Sequence, residues 1–120
     1  MKHNEGFLHL VADAKTRVKQ IDLSTYQAEI GEPHILIDVR EESEWAAGHV
    51  AGAIHLGKGV IERDIETQIS DKSTKLVLYC GGGFRSALVA DNLRKMGYTC
   101  PVSLDGGWGA LKDSGLPLER

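Results

Sequence analysis

The chain has few cysteines and no long apolar run. Its two cysteines, Cys80 and Cys100, are too few for a disulfide framework, and a reducing cytosol would keep both as thiols. The five histidines form no CxxC, HxxxH or HExxH pattern with them or with each other, so we expect no metal site. No stretch approaches the roughly 18 apolar residues that span a bilayer, and the N-terminus lacks a signal-peptide core. These absences predict a cytoplasmic protein without a membrane partner.

The charge and the length of the chain set the next limits. A net charge of -3 from mixed signs gives no reason to expect nucleic acid or an anionic membrane as a partner. With 42% apolar and 26% charged residues, the composition is that of an ordinary globular protein. A length of 120 residues is enough for one domain and too short for two. We expect residues 21–120 to form this domain, with a helix over residues 1–20 packed on it.

Helical patterns and short apolar runs alternate along the chain. The first helix is amphipathic and is expected to pack through Phe7, Leu8, Val11, Ala14 and Val18. The later helices are expected at Thr25–Ile30 with Ser24 as its cap, at Glu41–Ala47, at Ser86–Met96 and from Gly107–Trp108 onward. The strands are expected at Val18–Ile21, Ile35–Val39, Ala53–Leu56, Leu76–Tyr79 and Cys100–Leu104.

This alternation predicts an α/β domain with a mainly parallel sheet. The segments ILIDV and LVLY are nearly continuous in apolar residues, which indicates strands covered by helices on both faces. Ligands of such sheets bind at the carboxyl ends of the strands. Cys80 and residues 38–40 are expected at two of these ends.

The segment CGGGFRS, residues 80–86, follows one apolar run and opens a helical pattern. Glycine adopts positive φ at little cost, so consecutive glycines can turn their amide N–H groups inward and form an anion-binding nest. The start of the next helix and Arg85 add positive charge to the loop. A cysteine in such a field has a lowered pKa and reacts as its thiolate. We therefore expect Cys80 to be a nucleophile that needs no histidine base.

Three segments of the chain resemble the rhodanese family of sulfurtransferases in its single-domain form. LIDVREESEWAAGHVAGAIHL is similar to the N-terminal signature of the family, and CGGGFRS is similar to its active-site loop. LDGGWGALKDSGLPLE resembles its C-terminal signature. The resemblance covers most of the chain, with the motifs in the family's order. It implies a three-layer α/β/α domain with a five-stranded, mainly parallel sheet.

The resemblance also implies a reaction. A small anionic donor such as thiosulfate would pass a sulfane sulfur to Cys80, and the resulting persulfide would deliver it to cyanide, a small thiol or a protein thiol. This ping-pong chemistry needs no metal and no organic cofactor. The sulfur would be cradled by the backbone amides of Gly81, Gly82, Gly83, Phe84 and Arg85.

The resemblance implies that Asp38, Arg40 and Glu44 support the scaffold around this loop, and lining the mouth of the pocket is their alternative role. Arg40 and Glu44 are four residues apart and would pair at the start of a helix. Asp38 ends an apolar strand and would have to be hydrogen-bonded if buried, so we expect it to brace neighbouring loops.

Five other residues receive more ordinary interpretations. His49 is interpreted as a hydrogen-bonded turn residue and Cys100 as a small apolar side chain. Lys58 is expected in solvent, with attraction of an anionic donor as its alternative role. Trp108 is expected to be a core or lid aromatic, and Phe84 a docking contact for a protein partner.

The length of the loop separates related activities. Arg85 follows Cys80 with four residues between them, whereas phosphatase-type and arsenate-reductase-type loops resemble Cys-x5-Arg. The loop of this chain is one residue shorter and would form a smaller ring around its ligand, which fits a single sulfur atom better than a tetrahedral oxyanion.

Two further functions stay open beside sulfur transfer by an enzyme. A sulfur-carrier or interaction module without turnover would keep the same cysteine. Dinucleotide binding is disfavoured because Ser86 stands where the third glycine or alanine belongs. The oligomeric state, monomer or homodimer, also stays open.

Overall fold

The computed structural model describes residues 3–120 as alternating helices and strands. No helix within these residues is long and apolar enough to cross a lipid bilayer. The helices are α1 (Glu5–Lys15), α2 (Leu23–Glu29), α3 (Glu42–Ala47), α4 (Ile61–Gln68), α5 (Phe84–Lys95) and α6 (Gly107–Leu111). The strands are β1 (Lys19–Ile21), β2 (Ile35–Asp38), β3 (His49–Val50), β4 (Ile54–His55), β5 (Leu76–Tyr79), β6 (Pro101–Leu104) and β7 (Leu118–Glu119).

Five strands form one parallel sheet in the order β1-β6-β5-β2-β4. They are the five predicted strands, each within one residue of its expected ends, so the predicted fold class is confirmed. The short strands β3 and β7 form a separate antiparallel pair. Two residues per strand give no readable periodicity, which is why the sequence did not predict this pair.

Side chains of the central strand β5 alternate between two apolar cores. Leu76 and Leu78 pack with residues of α4 and α5 on one face of the sheet. Val77 and Tyr79 pack on the other face, where α2 and α6 contribute residues such as Tyr26. The sheet is therefore covered on both sides, and the expected three-layer arrangement is confirmed.

Three helix predictions need correction. Helix α2 begins before Ser24, because the side chain of Asp22 accepts a hydrogen bond from the Thr25 amide and caps it. Helix α4 was missed because Ile61 and Ile65 are the only buried residues in its polar sequence, which gives too sparse an apolar pattern. Helix α5 begins at Phe84, two residues before its predicted start, so the loop after Cys80 is shorter than expected.

Helix α1 packs against α5, and an ion pair fixes the contact. Arg17 donates to both carboxylate oxygens of the buried Asp91, at 3.0 and 2.9 Å. Val11 and Ala14 of α1 are buried, as the amphipathic pattern predicts. Leu8 is 40% exposed, so the prediction that it packs against the domain is wrong. The apolar face of α1 is therefore narrower than the sequence pattern predicts.

We predict that Asp91→Asn destabilises the protein at neutral pH. Hydrogen bonds from Arg17 hold the pKa of the Asp91 carboxyl below its ordinary value of 3.8. This stabilisation is complete above the ordinary value and is lost as the pH falls through the folded-state pKa. Thermal unfolding at several pH values should therefore show the largest difference from wild type at neutral pH.

Asp113→Asn is the control, because Asp113 is an exposed acid that follows the C-terminal end of α6. Its unfolding temperature should equal that of the wild type at every pH. Two results would contradict the importance of the ion pair. One is an equal loss of stability in the two variants, and the other is a loss of stability in Asp91→Asn that is as large in acid as at neutral pH.

Candidate active site

Cys80 lies at the carboxyl end of the central strand β5 and begins the loop that leads into α5. The residue is 1% exposed, so its sulfur forms the floor of the site rather than part of the surface. Gly83 ends the loop with φ +106°, in the left-handed region that favours glycine. A Cβ atom at Gly83 would also lie 3.3 Å from the Cα atom of Asp105. Any other residue at position 83 would therefore strain this turn.

The sulfur of Cys80 has hydrogen-bond partners in the loop and in α5. The Gly83 amide donates to Sγ at 3.1 Å, and the Ser86 hydroxyl lies 3.5 Å from Sγ. The Ser86 hydroxyl also bonds the hydroxyl of Ser103 in β6 at 2.8 Å, and both serines are fully buried. When Cys80 is a thiolate, Ser86 can donate to it while accepting from Ser103. The two hydroxyls form a short chain that ends on the sulfur.

These contacts lower the pKa of the Cys80 thiol. Burial raises this pKa, but hydrogen bonds from the Ser86 side chain and from the amides of Ser86, Gly83 and Gly82 lower it by more. The resulting pKa is below the ordinary value of 9.0, which increases the fraction of the reactive thiolate at neutral pH.

The first turn of α6 holds the carbonyl groups of the loop. The Trp108 amide donates to the Cys80 carbonyl at 2.7 Å, and the Gly109 amide donates to the Gly81 carbonyl at 3.1 Å. Gly107, which precedes them, has φ +47°, and a Cβ atom there would clash with the Cys80 carbonyl oxygen. Because α6 binds the carbonyls on one side of the loop, the loop amides are free to face the sulfur. We call this set of contacts, made by residues 106–109, the α6 clamp.

Arg85 is bound to Glu44 at the mouth of the site. The two side chains make a bidentate pair, with N–O distances of 2.8 and 3.2 Å. The hydrogen bond from Arg85 lowers the pKa of Glu44, and the bond to Glu44 raises the pKa of Arg85. The expected pairing of Arg40 with Glu44 is therefore wrong, because the loop arginine takes this carboxylate.

Arg40 instead pairs with Asp38, and both are buried. The Arg40 Nη2 atom donates to Asp38 Oδ2 and to the Gly48 carbonyl, each at 2.7 Å. Its guanidinium lies 4.6 Å from the centre of a Trp108 ring. Through these contacts, the ion pair connects the end of β2 to the Gly48 carbonyl and to the Trp108 ring of the α6 clamp.

The other candidates lie away from the sulfur. His49 is buried, stacks on Trp45 at 3.4 Å, and has ring-nitrogen contacts with the Trp45 carbonyl and with Glu119. Lys58 precedes α4 and is not part of the pocket wall. Cys100 is half-buried at the start of β6 and borders a different pocket.

A pocket of about 870 Å³ opens above Cys80. Arg85, Glu44 and loop residues form part of its wall, and the N-terminal segment supplies the rest. No local pattern in the sequence indicates this contribution of the N-terminus, nor that of Ser103, because both reach the site only through tertiary packing. Within residues 3–120, no three metal-ligating side chains cluster as they would around a metal ion.

The model of the rhodanese-like domain family matches residues 22–114, which include the loop and the α6 clamp. The chain belongs to the rhodanese-like domain family. Among its relatives is the thiosulfate sulfurtransferase PspE of Escherichia coli, 36% identical over 68% of this chain and 74% of the relative. The Bacillus subtilis protein YtwF, described as a putative sulfurtransferase, is 33% identical over 83% of this chain and 96% of its own.

A solved structure shares nearly the whole rhodanese-like chain. It comes from Rhodopseudomonas palustris, is described as a protein of unknown function and possible tyrosine phosphatase, and superimposes with a TM-score of 0.83. It is 26% identical in sequence and covers 99% of this chain and 98% of that one. Unlike the family match, this likeness includes α1.

We predict that Ser86→Ala lowers the reactivity of Cys80. Loss of the hydroxyl donor raises the pKa of the thiol, so less thiolate is present at neutral pH. A hydrogen bond to an ion contributes roughly 1.5 to 3 kcal/mol, so alkylation by iodoacetamide at neutral pH should slow by roughly 10- to 150-fold. The measurement uses a Cys100→Ala background, in which Cys80 is the one remaining cysteine.

Ser73→Ala is the matched control, because the Ser73 hydroxyl bonds Asp71 in an exposed turn. It should alkylate at the rate of its parent. If Ser86→Ala also reacts at the parental rate, the hydroxyl does not stabilise the thiolate.

We predict that Gly107→Ala disrupts the α6 clamp. The substitution combines a left-handed φ with a clash against the Cys80 carbonyl and should cost roughly 2 to 5 kcal/mol of stability. Gly115→Ala is the control for backbone strain alone, since Gly115 has φ +85° but no atom within 4 Å of the position that a Cβ would take. It should cost about 1 to 2 kcal/mol. Chemical denaturation measures the loss of stability in both variants. Equal losses would show that the contact at Gly107 is not tight.

Proposed function

We propose that this rhodanese-like protein is a sulfurtransferase that carries sulfane sulfur as a persulfide on Cys80. The main support is the buried sulfur of Cys80 beneath the inward-facing Gly83 amide at 3.1 Å. A persulfide anion needs the same stabilisation as a thiolate, and preorganised N–H donors supply it. The name of the E. coli relative, a thiosulfate sulfurtransferase, favours thiosulfate or a related compound as the donor.

The proposed reaction has two displacements at sulfur. The Cys80 thiolate attacks the sulfane sulfur of thiosulfate, the sulfur–sulfur bond of thiosulfate breaks, and sulfite leaves with its electron pair. The enzyme now carries a persulfide anion. Cyanide or a thiolate then attacks the outer sulfur, the bond to Cys80 breaks, and Cys80 returns to its thiolate form.

In this proposal, different groups bind the two sulfur atoms of the persulfide, the inner sulfur being Cys80 Sγ and the outer sulfur the transferred atom. Gly83 and Ser86 hold the inner sulfur through the contacts described above. Within residues 3–120 of the unloaded protein, the amides of Gly81, Phe84 and Arg85 make no hydrogen bond to Cys80 Sγ. We therefore assign these three amides to the outer sulfur of the persulfide. Asp38, Arg40 and Glu44 hold the surrounding loops.

A phosphatase or arsenate-reductase reaction is the main competing activity. The description of the R. palustris structure favours it, but the four-residue spacing between Cys80 and Arg85 does not. The Arg85 side chain is also bound by Glu44 in a bidentate pair, which leaves less of its charge for a tetrahedral dianion. A sulfur carrier without turnover would load the same persulfide and transfer it to a protein thiol.

We predict that incubation with thiosulfate adds one sulfur atom, roughly 32 Da, to the protein. Intact-mass measurement should show this gain in the wild type and in Cys100→Ala, because the modified sulfur belongs to Cys80. Cys80→Ala should gain nothing. Subsequent cyanide should remove the added mass and yield thiocyanate.

Two outcomes would count against the proposal. A gain in mass on Cys80→Ala would place the sulfur elsewhere. Hydrolysis of para-nitrophenyl phosphate by the wild type, without any persulfide formed from thiosulfate or polysulfide, would favour the phosphatase. Persulfide loading with negligible steady-state turnover of cyanide or small thiols would identify the carrier.

A further inference from the structure

Helix α1 lies outside the region matched by the family model, yet its N-terminal end forms part of the pocket over Cys80. His3, Asn4 and Phe7 line this pocket together with the catalytic loop. The family match begins at residue 22, so these side chains lie outside the part of the chain that the family model describes, although the R. palustris structure extends over this segment as well. They are therefore candidates for residues that select the substrate.

Three rings from the two segments pack into one wall of the pocket. His3 meets Phe84 edge-on with 4.7 Å between ring centres, and Phe7 meets Phe84 edge-on at 6.3 Å. His3 and Phe7 are 5.2 Å apart. We call His3, Phe7 and Phe84 the aromatic wall. Since Phe84 follows the loop glycines directly, this wall stands beside the position that the outer sulfur of a persulfide would occupy.

The wall is held in place before any substrate arrives. Arg17 binds Asp91 at the far end of α1, and the Lys15 ammonium lies 4.9 Å from the centre of the Phe84 ring. Val11 and Ala14 of the same helix are buried. A preorganised surface of this kind binds a ligand without the entropic cost of first becoming ordered.

The polar side of the pocket carries little free positive charge. Arg85 is the one arginine or lysine among the described residues that line it, and Glu44 neutralises this charge. Glu41 also lies close enough to Arg85 to contribute to its raised pKa. Because Arg85 is already paired, a negatively charged acceptor would meet Glu44 and the persulfide anion at the polar side of the pocket. The Lys15 ammonium lies at the aromatic side, over the Phe84 ring.

We propose that α1 makes this pocket selective for a compact organic thiol that carries no net negative charge and packs a ring on the aromatic wall. The inference rests on the proposed function. The acceptor thiolate attacks the outer sulfur of the Cys80 persulfide, the bond between the outer sulfur and Cys80 breaks, and Cys80 leaves as a thiolate. The acceptor becomes a persulfide anion, so two negative charges are present before and after the transfer, and the acceptor's thiol proton has gone to solvent.

The test measures single-turnover discharge of the preloaded protein. Cys80 is loaded with thiosulfate, or with polysulfide if thiosulfate fails, and the loss of the added sulfur is followed by intact mass. Three alkyl thiols serve as probes: benzyl mercaptan, 2-mercaptoethanol and 3-mercaptopropionate. Benzyl mercaptan should discharge the protein roughly tenfold faster than 2-mercaptoethanol, because its ring gains apolar and aromatic contacts. The anionic 3-mercaptopropionate should be the slowest.

Substitutions on α1 identify the source of this preference. Phe7→Ala should lower the ratio of the benzyl mercaptan rate to the 2-mercaptoethanol rate by roughly 3- to 10-fold, because an aromatic contact is lost. Phe7→Leu, which keeps apolar bulk and protects folding, should lower the ratio in the same direction by less. Leu10→Ala is the control on the same helix, since Leu10 is 61% exposed, and it should keep the wild-type ratio.

The outcomes separate this inference from the proposed function. If neither donor loads Cys80, the sulfurtransferase proposal fails and this inference fails with it. If the protein loads normally but Phe7→Ala, Phe7→Leu and Leu10→Ala all keep the wild-type ratio, only the role of α1 is overturned. A wild type discharged fastest by 3-mercaptopropionate would likewise overturn the selectivity while leaving sulfur transfer intact.

Discussion

The hydrogen bond from the Gly83 amide to the buried sulfur of Cys80 is the interaction on which the site depends. Burial alone would keep this thiol protonated, because a low-dielectric environment disfavours the anion. The Ser86 hydroxyl, with the amides of Ser86, Gly83 and Gly82, reverses that preference and lowers the pKa of Cys80. The site can therefore be both enclosed and reactive, which suits the proposed transfer of sulfur through Cys80.

The rest of the domain serves to keep those amides facing inward. The central position of β5 fixes where the loop begins, and the α6 clamp binds the carbonyls of Cys80 and Gly81 from outside. Behind the clamp, the Asp38–Arg40 pair and the stacked Trp108 connect it to the end of β2. Residues distant in sequence thus hold one short loop in a conformation that its three glycines would not keep alone.

The sequence predicts the parts of this arrangement that have local signals. The glycines after Cys80, the apolar strand before it and the α6 turn all follow from residue type and spacing. The partners of Arg85 and Ser86 do not, because Glu44 and Ser103 lie 41 and 17 residues away and meet them only in the folded chain. The same holds for Phe7, whose place beside Phe84 depends on the docking of α1.

Titration of the Cys80 thiol tests the central claim most directly. Thiolate absorbance in the ultraviolet, measured against pH for Cys100→Ala with the Cys80→Ala, Cys100→Ala protein as a blank, reports this one group. We predict a midpoint clearly below the ordinary cysteine pKa of 9.0, because inward-facing donors stabilise the anion. A midpoint at or above that value would show that burial dominates and would contradict the claim.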